Sequence, residues 1–309
     1  MAFSTSSGIG SIAGLAHRLG LHKMWLDEQA AGVRLQAERS CWNEIRMDKA
    51  DLRAALLSCS SFLEADLAQC RFNLADLTFC DFRRAILTST EFMGARIENA
   101  VFIGAFLSSA TFSDTSIGDT DFSYSTLKEA QMQSARLRKC LCDHVDFTQA
   151  SGQQSQWSEC NLTAAVLKEV NLTRAVFSFC RFYAAEGERA NFTSAKMTHC
   201  DFSRAELPYA KFNSADLSQS QFDGAQLYGA SFRDAKLETT VLYRANLENA
   251  RFEGAKLRGT DLRGANLRNA RELTSDQLLG ARTDPLTILP AGVPGPYIRR
   301  SGMERPSSR

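Results

Sequence analysis

The chain has 309 residues, a formal net charge of +1 and 44% hydrophobic residues, which is enough apolar surface to bury a core. It has no uninterrupted apolar stretch of about 18 residues, so the sequence excludes a membrane-spanning helix. The near-zero net charge excludes a general attraction to nucleic acid or to anionic lipid. We expect a cytoplasmic location, because the N-terminus lacks the compact apolar run of a secretory signal.

Residues 1–40 are interpreted as an N-terminal tail followed by a helical cap. Six apolar residues recur there at steps of three, four or seven, which gives a helix one apolar face. They are Ile12, Leu15, Leu19, Leu26, Ala30 and Val33. Such a helix would cover the open backbone groups at the end of a β structure, which otherwise invite pairing with another chain. The Ser-rich start, residues 4–7, leaves open the alternative of an export signal.

A period of five residues organises residues 41–270. From Leu52 to Leu267, every fifth residue is Leu, Phe, Ile, Met or Trp at 41 of 44 positions, and the residue two places earlier is always Ala, Cys, Ser, Thr or Val. Because this period matches neither an α-helix nor a flat strand, it indicates short extended segments separated by bends. Each segment is expected to turn one large and one small side chain inward and three mostly polar side chains outward.

Two longer periods indicate how many segments complete one turn of the coil. Phe recurs every ten residues at the large position, and Cys recurs every twenty residues at the small position. A repeat of twenty corresponds to four sides of five residues, with successive turns stacked about 4.8 Å apart. The predicted core includes Phe62, Leu67, Phe72, Leu77, Phe82, Phe192, Phe202, Phe212, Phe222, Phe232, Cys140, Cys160, Cys180 and Cys200.

Residues 138–190 are the least regular part of the repeats. Gly152 and Gly187 stand at large inward positions, and the alternation of Phe is lost. The segment either contains a loop or bend that meets a partner, as loops on rigid scaffolds often do, or consists of drifted repeats. The sequence leaves both alternatives open.

Residues 271–300 are interpreted as a C-terminal cap helix followed by an extended segment. Ser275 precedes Asp276 and Gln277 as a helix N-cap would, and four prolines between residues 285 and 296 indicate extended chain. Residues 301–309 are polar and are predicted to be a disordered tail. An end-to-end homodimer stays open, because it depends on how fully this cap covers the last turn.

The sequence offers no catalytic, cofactor-binding or metal site. His144 and His199 are outward and 55 residues apart, too far to share a metal ion or to form a catalytic pair. The cysteine column would point its thiols in parallel, whereas zinc needs four converging ligands, and buried thiols are poor nucleophiles. No glycine-rich phosphate loop or nucleophile elbow occurs. We therefore expect a protein that is not an enzyme, needs no cofactor and has no small-molecule substrate.

Units such as Ala65-Asp66-Leu67 and Ala265-Asn266-Leu267 resemble those of the pentapeptide repeat proteins. The resemblance covers roughly residues 40–270 and implies an all-β fold, a right-handed, four-sided parallel β-solenoid. Together with the caps, it implies a rod with an N-terminal helical cap and a short C-terminal helix. The family includes topoisomerase-protecting proteins and secreted effectors, so the resemblance implies no single function.

The outward residues favour an interaction module for an unknown protein partner. Ile86 and Phe106 are apolar and twenty residues apart, so they are expected to stack on one side as a contact surface. Outward acids are interleaved with Arg and Lys, which disfavours a mimic of duplex DNA, and direct nucleic-acid binding is not expected. One alternative is a topoisomerase-protecting or toxin-immunity protein, and another is a secreted bacterial effector.

Overall fold

The computed structural model describes residues 12–293, 297–300 and 303–306, with side chains from residue 14 to residue 293. The chain forms two compact units, Met1–Gly152 and Gln153–Arg309. The sequence predicts one repeat domain over residues 41–270, and the division falls inside it, within the least regular segment. The Ser-rich start that was considered as an export signal lies outside the described residues.

Both units are parallel β-solenoids in which residues twenty apart pair in register. The first unit contains β1 (Arg96–Glu98), β2 (Ser116–Gly118) and β3 (Arg136–Arg138), and the second contains β4 (Gln156–Ser158), β5 (Val176–Ser178) and β6 (Lys196–Thr198). Within each unit, consecutive strands are parallel neighbours. Elsewhere single parallel bridges with the same spacing join the turns, as between Asp51 and Arg71. The predicted four-sided solenoid is confirmed.

Phenylalanine rings fill the interior in two columns. Rings twenty residues apart stack in parallel, as Phe62 does on Phe82 with 4.8 Å between ring centroids. Rings ten residues apart meet edge to face, as Phe72 and Phe82 do at 6.0 Å. Both arrangements are favourable for aromatic pairs. The fourteen residues predicted for the core are each at most 2% exposed, so the five-residue frame locates the interior correctly.

The bend that ends each side places an ordinary residue in the left-handed region of backbone conformation. Tyr209, for example, has a φ of +59°, a conformation that costs a residue with a side chain roughly 1–2 kcal/mol. Its N–H donates to the carbonyl oxygen of Tyr228 in the next turn at 2.8 Å. Hydrogen bonds between turns therefore hold the bends in place, which is why a single turn is not expected to fold alone.

Helix α1 (Ile12–Leu26) covers the first turn of the first unit. Its Leu15 and His22 are buried. The N–H of Leu35 donates to His22 Nδ1 at 3.0 Å, and this bond ties the helix to the start of the coil. The predicted helical cap is thus present, although it ends earlier than the apolar pattern indicates.

Two details of the N-terminal prediction need correction. Ala30 and Val33, predicted on the apolar face of the helix, lie beyond its end and are exposed, because the chain turns after Leu26 to enter the coil. Pairing between turns begins with Gln36 and Leu56, so the coil starts several residues before the predicted boundary at residue 41.

Helix α2 (Ser275–Leu279) caps the last turn of the second unit. Its N-cap is Thr274 and not the predicted Ser275, because the Thr274 hydroxyl accepts the N–H of Gln277 at 3.3 Å. The Gln277 side chain in turn accepts the N–H of Thr274 at 2.8 Å, which completes a capping box. Gln277 Nε2 also donates to the carbonyl oxygen of Ala255 at 2.8 Å and so docks the helix on the coil.

The C-terminal segment contains a short antiparallel pair of strands, β7 (Tyr297–Arg300) and β8 (Met303–Pro306). The sequence predicts extended chain up to residue 300 and a disordered tail over residues 301–309. Strand β8 lies inside that predicted tail, because pairing with β7 satisfies its backbone hydrogen-bonding groups. The remaining residues of the predicted tail lie outside the described part of the chain.

In the irregular segment, residues 138–190, every side of the coil is still five residues long, both before and after the division between the units. Gly152 and Gly187 are buried at inward positions, and the Leu207 side chain packs where a side chain at Gly187 would lie. The five-residue frame therefore continues through this segment without an inserted loop, as drifted repeats would, and a bend that meets a partner stays a prediction. No helix among the described residues is long and apolar enough to cross a membrane.

Candidate interaction surface

Ile86 and Phe106 lie on one side of the first unit in successive turns, where they form a parallel bridge. The neighbouring Leu87 and Leu107 point inward and are fully buried. Since side chains alternate along an extended segment, Ile86 and Phe106 must point outward, and they are 41% and 53% exposed. We use the name Ile86–Phe106 surface for the outward residues Ile86, Thr88, Ser89, Phe106, Ser108 and Ser109.

The Ile86–Phe106 surface is uncharged and is bordered by charged residues. Beyond it, Lys128 pairs with Asp146 at 3.2 Å. Partial burial raises the pKa of Asp146, but hydrogen bonds from Thr148 and the charge of Lys128 outweigh that effect, so the pKa lies below its ordinary value. On the other border, Asp66 stands one turn before Ile86. A patch of apolar and hydroxyl side chains is thus framed by ionised groups.

Some outward columns of each unit place acids and bases in adjacent turns, where they form ion pairs. In the first unit, Arg71 lies 4.0 Å from Asp51 and 3.8 Å from Glu91. In the second unit, Arg181 pairs with Asp201 at 3.6 Å. These acids are neutralised by neighbours in adjacent turns, which differs from the uninterrupted negative charge along duplex DNA.

Several exposed apolar and aromatic side chains were not predicted as contact residues. All of them lie at or next to a bend, at positions whose residue numbers end in 3, 4, 8 or 9. They are Leu74, Met93, Tyr124, Tyr209 and Tyr228. The repeat pattern marks these positions as mostly polar, and the contact residues predicted from it lie chiefly next to the large inward side chain. An apolar residue at a bend position is the signal that would have found them.

The cysteine column is part of the core. The Cys200 thiol lies 3.8 Å from the carbonyl oxygen of Phe177 and within the buried interior. Burial raises the pKa of Cys200 to about 12, so the thiolate that nucleophilic attack or metal binding needs is scarce at neutral pH. The neighbouring thiol of Cys160 and burial raise the pKa of Cys180 in the same direction.

The outward histidines stack on aromatic rings in separate units. His144 lies on Tyr124 with 4.9 Å between ring centroids, and His199 lies on Phe179 at 5.0 Å. Among the residues that the structure describes, no group of three or more His, Cys, Asp or Glu side chains could hold a metal ion. The histidines therefore belong to aromatic contacts at the bends.

The repeat frame agrees with two protein-family models. A model described as pentapeptide repeats (8 copies) matches residues 75–114, 90–128, 140–178 and 155–186, and a model described as a pentapeptide repeat region matches residues 205–279. Together the two models match more than half of the chain. The chain belongs to the pentapeptide repeat family. Neither model describes an enzyme.

This pentapeptide repeat protein is also similar to solved structures. One is HetL, titled a pentapeptide repeat protein involved in heterocyst differentiation regulation from the cyanobacterium Nostoc sp. strain PCC 7120. The match is 26% identical, covers 78% of this chain and 94% of HetL, and has a TM-score of 0.25. A second is a trypsin-treated form of QnrB1, titled a plasmid-mediated fluoroquinolone resistance protein, at 18% identity, 69% and 87% coverage and a TM-score of 0.34.

A third similar structure is a pentapeptide repeat protein from the Arabidopsis thaliana thylakoid lumen. It is 30% identical over 29% of this chain and 66% of that chain, with a TM-score of 0.24. A search of curated proteins found no match. Because all three TM-scores are below 0.5, the family assignment rests on the sequence models and on the fold itself.

Proposed function

We propose that this pentapeptide repeat protein is a non-enzymatic interaction module that binds a protein partner through the Ile86–Phe106 surface. The observation that supports the proposal is the pair of exposed apolar side chains stacked in successive turns, with hydroxyl side chains following each of them on the same side. Apolar patches framed by polar residues are typical of protein contact sites. The parallel bridge between the two residues fixes their spacing, so a partner meets a rigid pair.

The chemistry of the surface favours a partner with apolar side chains at its centre. Ile86 and Phe106 gain free energy when water is removed from them, at roughly 25 cal/mol for each Å² of apolar surface. Thr88 and Ser108 are half-buried and carry hydroxyl groups that can either donate or accept a hydrogen bond. Because the surface has no charge of its own, the affinity should change little with salt concentration.

The test compares partner capture by the native chain and by the double variant Ile86→Ser, Phe106→Ser. We expect the double variant to lose at least one protein that the native chain retains, because the apolar contact is gone. Both side chains point away from the core, so the melting temperature should be unchanged. Captured proteins are identified by mass spectrometry, at about 50 and 300 mM salt.

The matched control is the double variant Leu74→Ser, Met93→Ser, which removes two exposed apolar side chains from a different side of the same unit. This control should retain the partner. The proposal is wrong if the Ile86→Ser, Phe106→Ser variant captures the same proteins as the native chain, or if both double variants lose the partner equally.

The other functions considered are topoisomerase protection, toxin immunity and secretion as an effector. In the described part of the chain, no residue-level feature favours one of these over an interaction module. The ion pairs of Arg71 and Arg181 interrupt the negative charge of their columns, which disfavours a DNA mimic.

A further inference from the structure

Two exposed tyrosines in the second unit have their aromatic rings perpendicular to each other. The ring centroids of Tyr209 and Tyr228 are 5.5 Å apart and their planes meet at 88°. The residues are 47% and 37% exposed, so a part of each ring faces solvent. Together with Glu206, which stands three residues before Tyr209 on the same side, we call this the tyrosine surface.

Gly229 holds the Tyr209 ring in place. Gly229 has a φ of +64°, and a Cβ atom added there would lie 2.7 Å from one carbon of the Tyr209 ring and 2.8 Å from another. The ring therefore rests directly on the backbone of Gly229, and any larger residue would push it away. A ring seated in this way loses little conformational freedom when a ligand contacts its other parts.

Acids and bases both occur near the tyrosines: Arg189, one turn before Tyr209, pairs with Glu188 at 3.4 Å, and Lys211 begins the next side, but the acids on the tyrosines' own side are not neutralised. The outward residues of this side between Glu206 and Asn249 include two acids, Glu206 and Glu248, and no Lys, Arg or His. Neither acid makes an ion pair with a described residue, whereas Glu186, one turn earlier, pairs with Lys168 at 3.2 Å. The two tyrosines thus stand beside unpaired carboxylates.

Aromatic faces and a nearby carboxylate attract the same kind of ligand, which is a cation. The face of a tyrosine ring carries negative electrostatic potential and binds guanidinium or ammonium groups within about 6 Å of the ring centroid. The same preference occurs elsewhere in this unit, where the Arg181 guanidinium lies 5.1 Å and the Arg204 guanidinium 5.8 Å from the centroid of the Tyr183 ring. At Tyr183 the chain supplies its own cations, and at Tyr209 and Tyr228 no described residue does so.

We propose that the tyrosine surface binds an arginine side chain of a protein partner, with the guanidinium against the tyrosine rings and Glu206 as its counter-ion. Arginine fits better than lysine, because its planar guanidinium stacks on aromatic rings and pairs with a carboxylate through two donors. The proposal is separate from the Ile86–Phe106 surface, which lies in the other unit, so either one can fail without the other.

The test measures binding of a fluorescein-labelled hexa-arginine peptide to the full chain by fluorescence polarisation. Tyr209→Leu and Tyr228→Leu should each weaken binding about two- to fivefold, because they keep an apolar side chain but remove the aromatic face. Tyr209→Phe should bind as the native chain does, and Glu206→Gln should weaken binding. A peptide of six citrullines, which has the same shape without the charge, should not bind detectably.

The matched control is Tyr183→Leu, in the same unit, because that ring already carries two arginines. This variant should leave the affinity for hexa-arginine unchanged. Three results would overturn the proposal: no effect of either tyrosine variant, an equal loss in Tyr183→Leu, or equal binding of the citrulline peptide. It would also be overturned if the native chain dimerises in solution and Tyr209→Leu makes it monomeric, since the occupant would then be a second copy.

Discussion

Asp or Asn stands before the large inward residue on many sides, and its side-chain oxygen accepts a local hydrogen bond. Asp76 Oδ1 accepts two hydrogen bonds from Thr78, one from the N–H at 3.1 Å and one from the hydroxyl at 2.5 Å. Asn171 Oδ1 does the same with Thr173, at 3.2 and 2.7 Å. The bend needs an oxygen at this position and not a negative charge, which explains why Asp and Asn both occur there.

This explanation predicts different outcomes for two substitutions of Asp76. Asp76→Asn should unfold at nearly the same urea concentration as the native chain, because the amide oxygen can accept both hydrogen bonds. Asp76→Ala should lower the free energy of unfolding by about 1 kcal/mol, the usual contribution of such a bond. Urea titrations followed by circular dichroism measure the difference. Equal destabilisation by Asn and Ala would show that the charge matters instead of the hydrogen bond.

The two caps illustrate what the sequence predicts about whole elements and what it does not. An apolar periodicity predicted helix α1, and a cap motif predicted helix α2, because both signals are local. The end of α1 was missed, since it depends on how the helix docks on the coil. The true N-cap, Thr274, was missed although it begins a local Thr-x-x-Gln capping box. His22 was not recognised as a contact residue, because its partner Leu35 lies thirteen residues along the chain.

The contact between α1 and the coil is expected to be pH-dependent. Burial lowers the pKa of His22, with smaller opposing effects from the backbone of Arg53 and the charge of Asp51, and the charges of Arg34 and Arg53 lower it further. The neutral ring accepts the N–H of Leu35 on Nδ1, and protonation would block that bond. Since the folded pKa lies below the unfolded value of about 6.5, this stabilisation is present above that pH and is lost as the pH falls.

The prediction concerns the fall in melting temperature between pH 7.5 and pH 5.5. The native chain should lose more stability over this interval than His22→Asn, in which the amide oxygen keeps an acceptor that does not titrate. His17→Asn changes the exposed histidine of the same helix and should behave as the native chain does. Scanning calorimetry at both pH values decides the matter. If His22→Asn shows the native pH dependence, His22 does not control the cap.

For the molecule as a whole, the period of five predicts which side chains point inward, and little else about its surfaces. Inward residues such as Phe202 follow from the alternation of an extended segment, which involves only neighbours in sequence. The exposure of Tyr209 and Tyr228 depends on which residues occupy the next turn, such as Gly229, and the period of five does not specify them. The division into two units also left no clear signal beyond the irregular repeats around Gly152.

The central claim is that residues twenty apart are closer in space than residues fifteen apart. It is tested most directly with nitroxide spin labels on cysteines introduced at Gln219 and Thr239, twenty residues apart at exposed bends, and at Gln219 and Asp234, fifteen apart. The exposed Cys41 and Cys59 are first replaced by Ser, which leaves the seven buried cysteines unlabelled. Stacked turns place the backbones of Gln219 and Thr239 about 4.8 Å apart, so this pair should show strong dipolar broadening in its electron paramagnetic resonance spectrum. The pair at Gln219 and Asp234, on different corners, should show much less, and equal or greater broadening in that pair would contradict the four-sided coil.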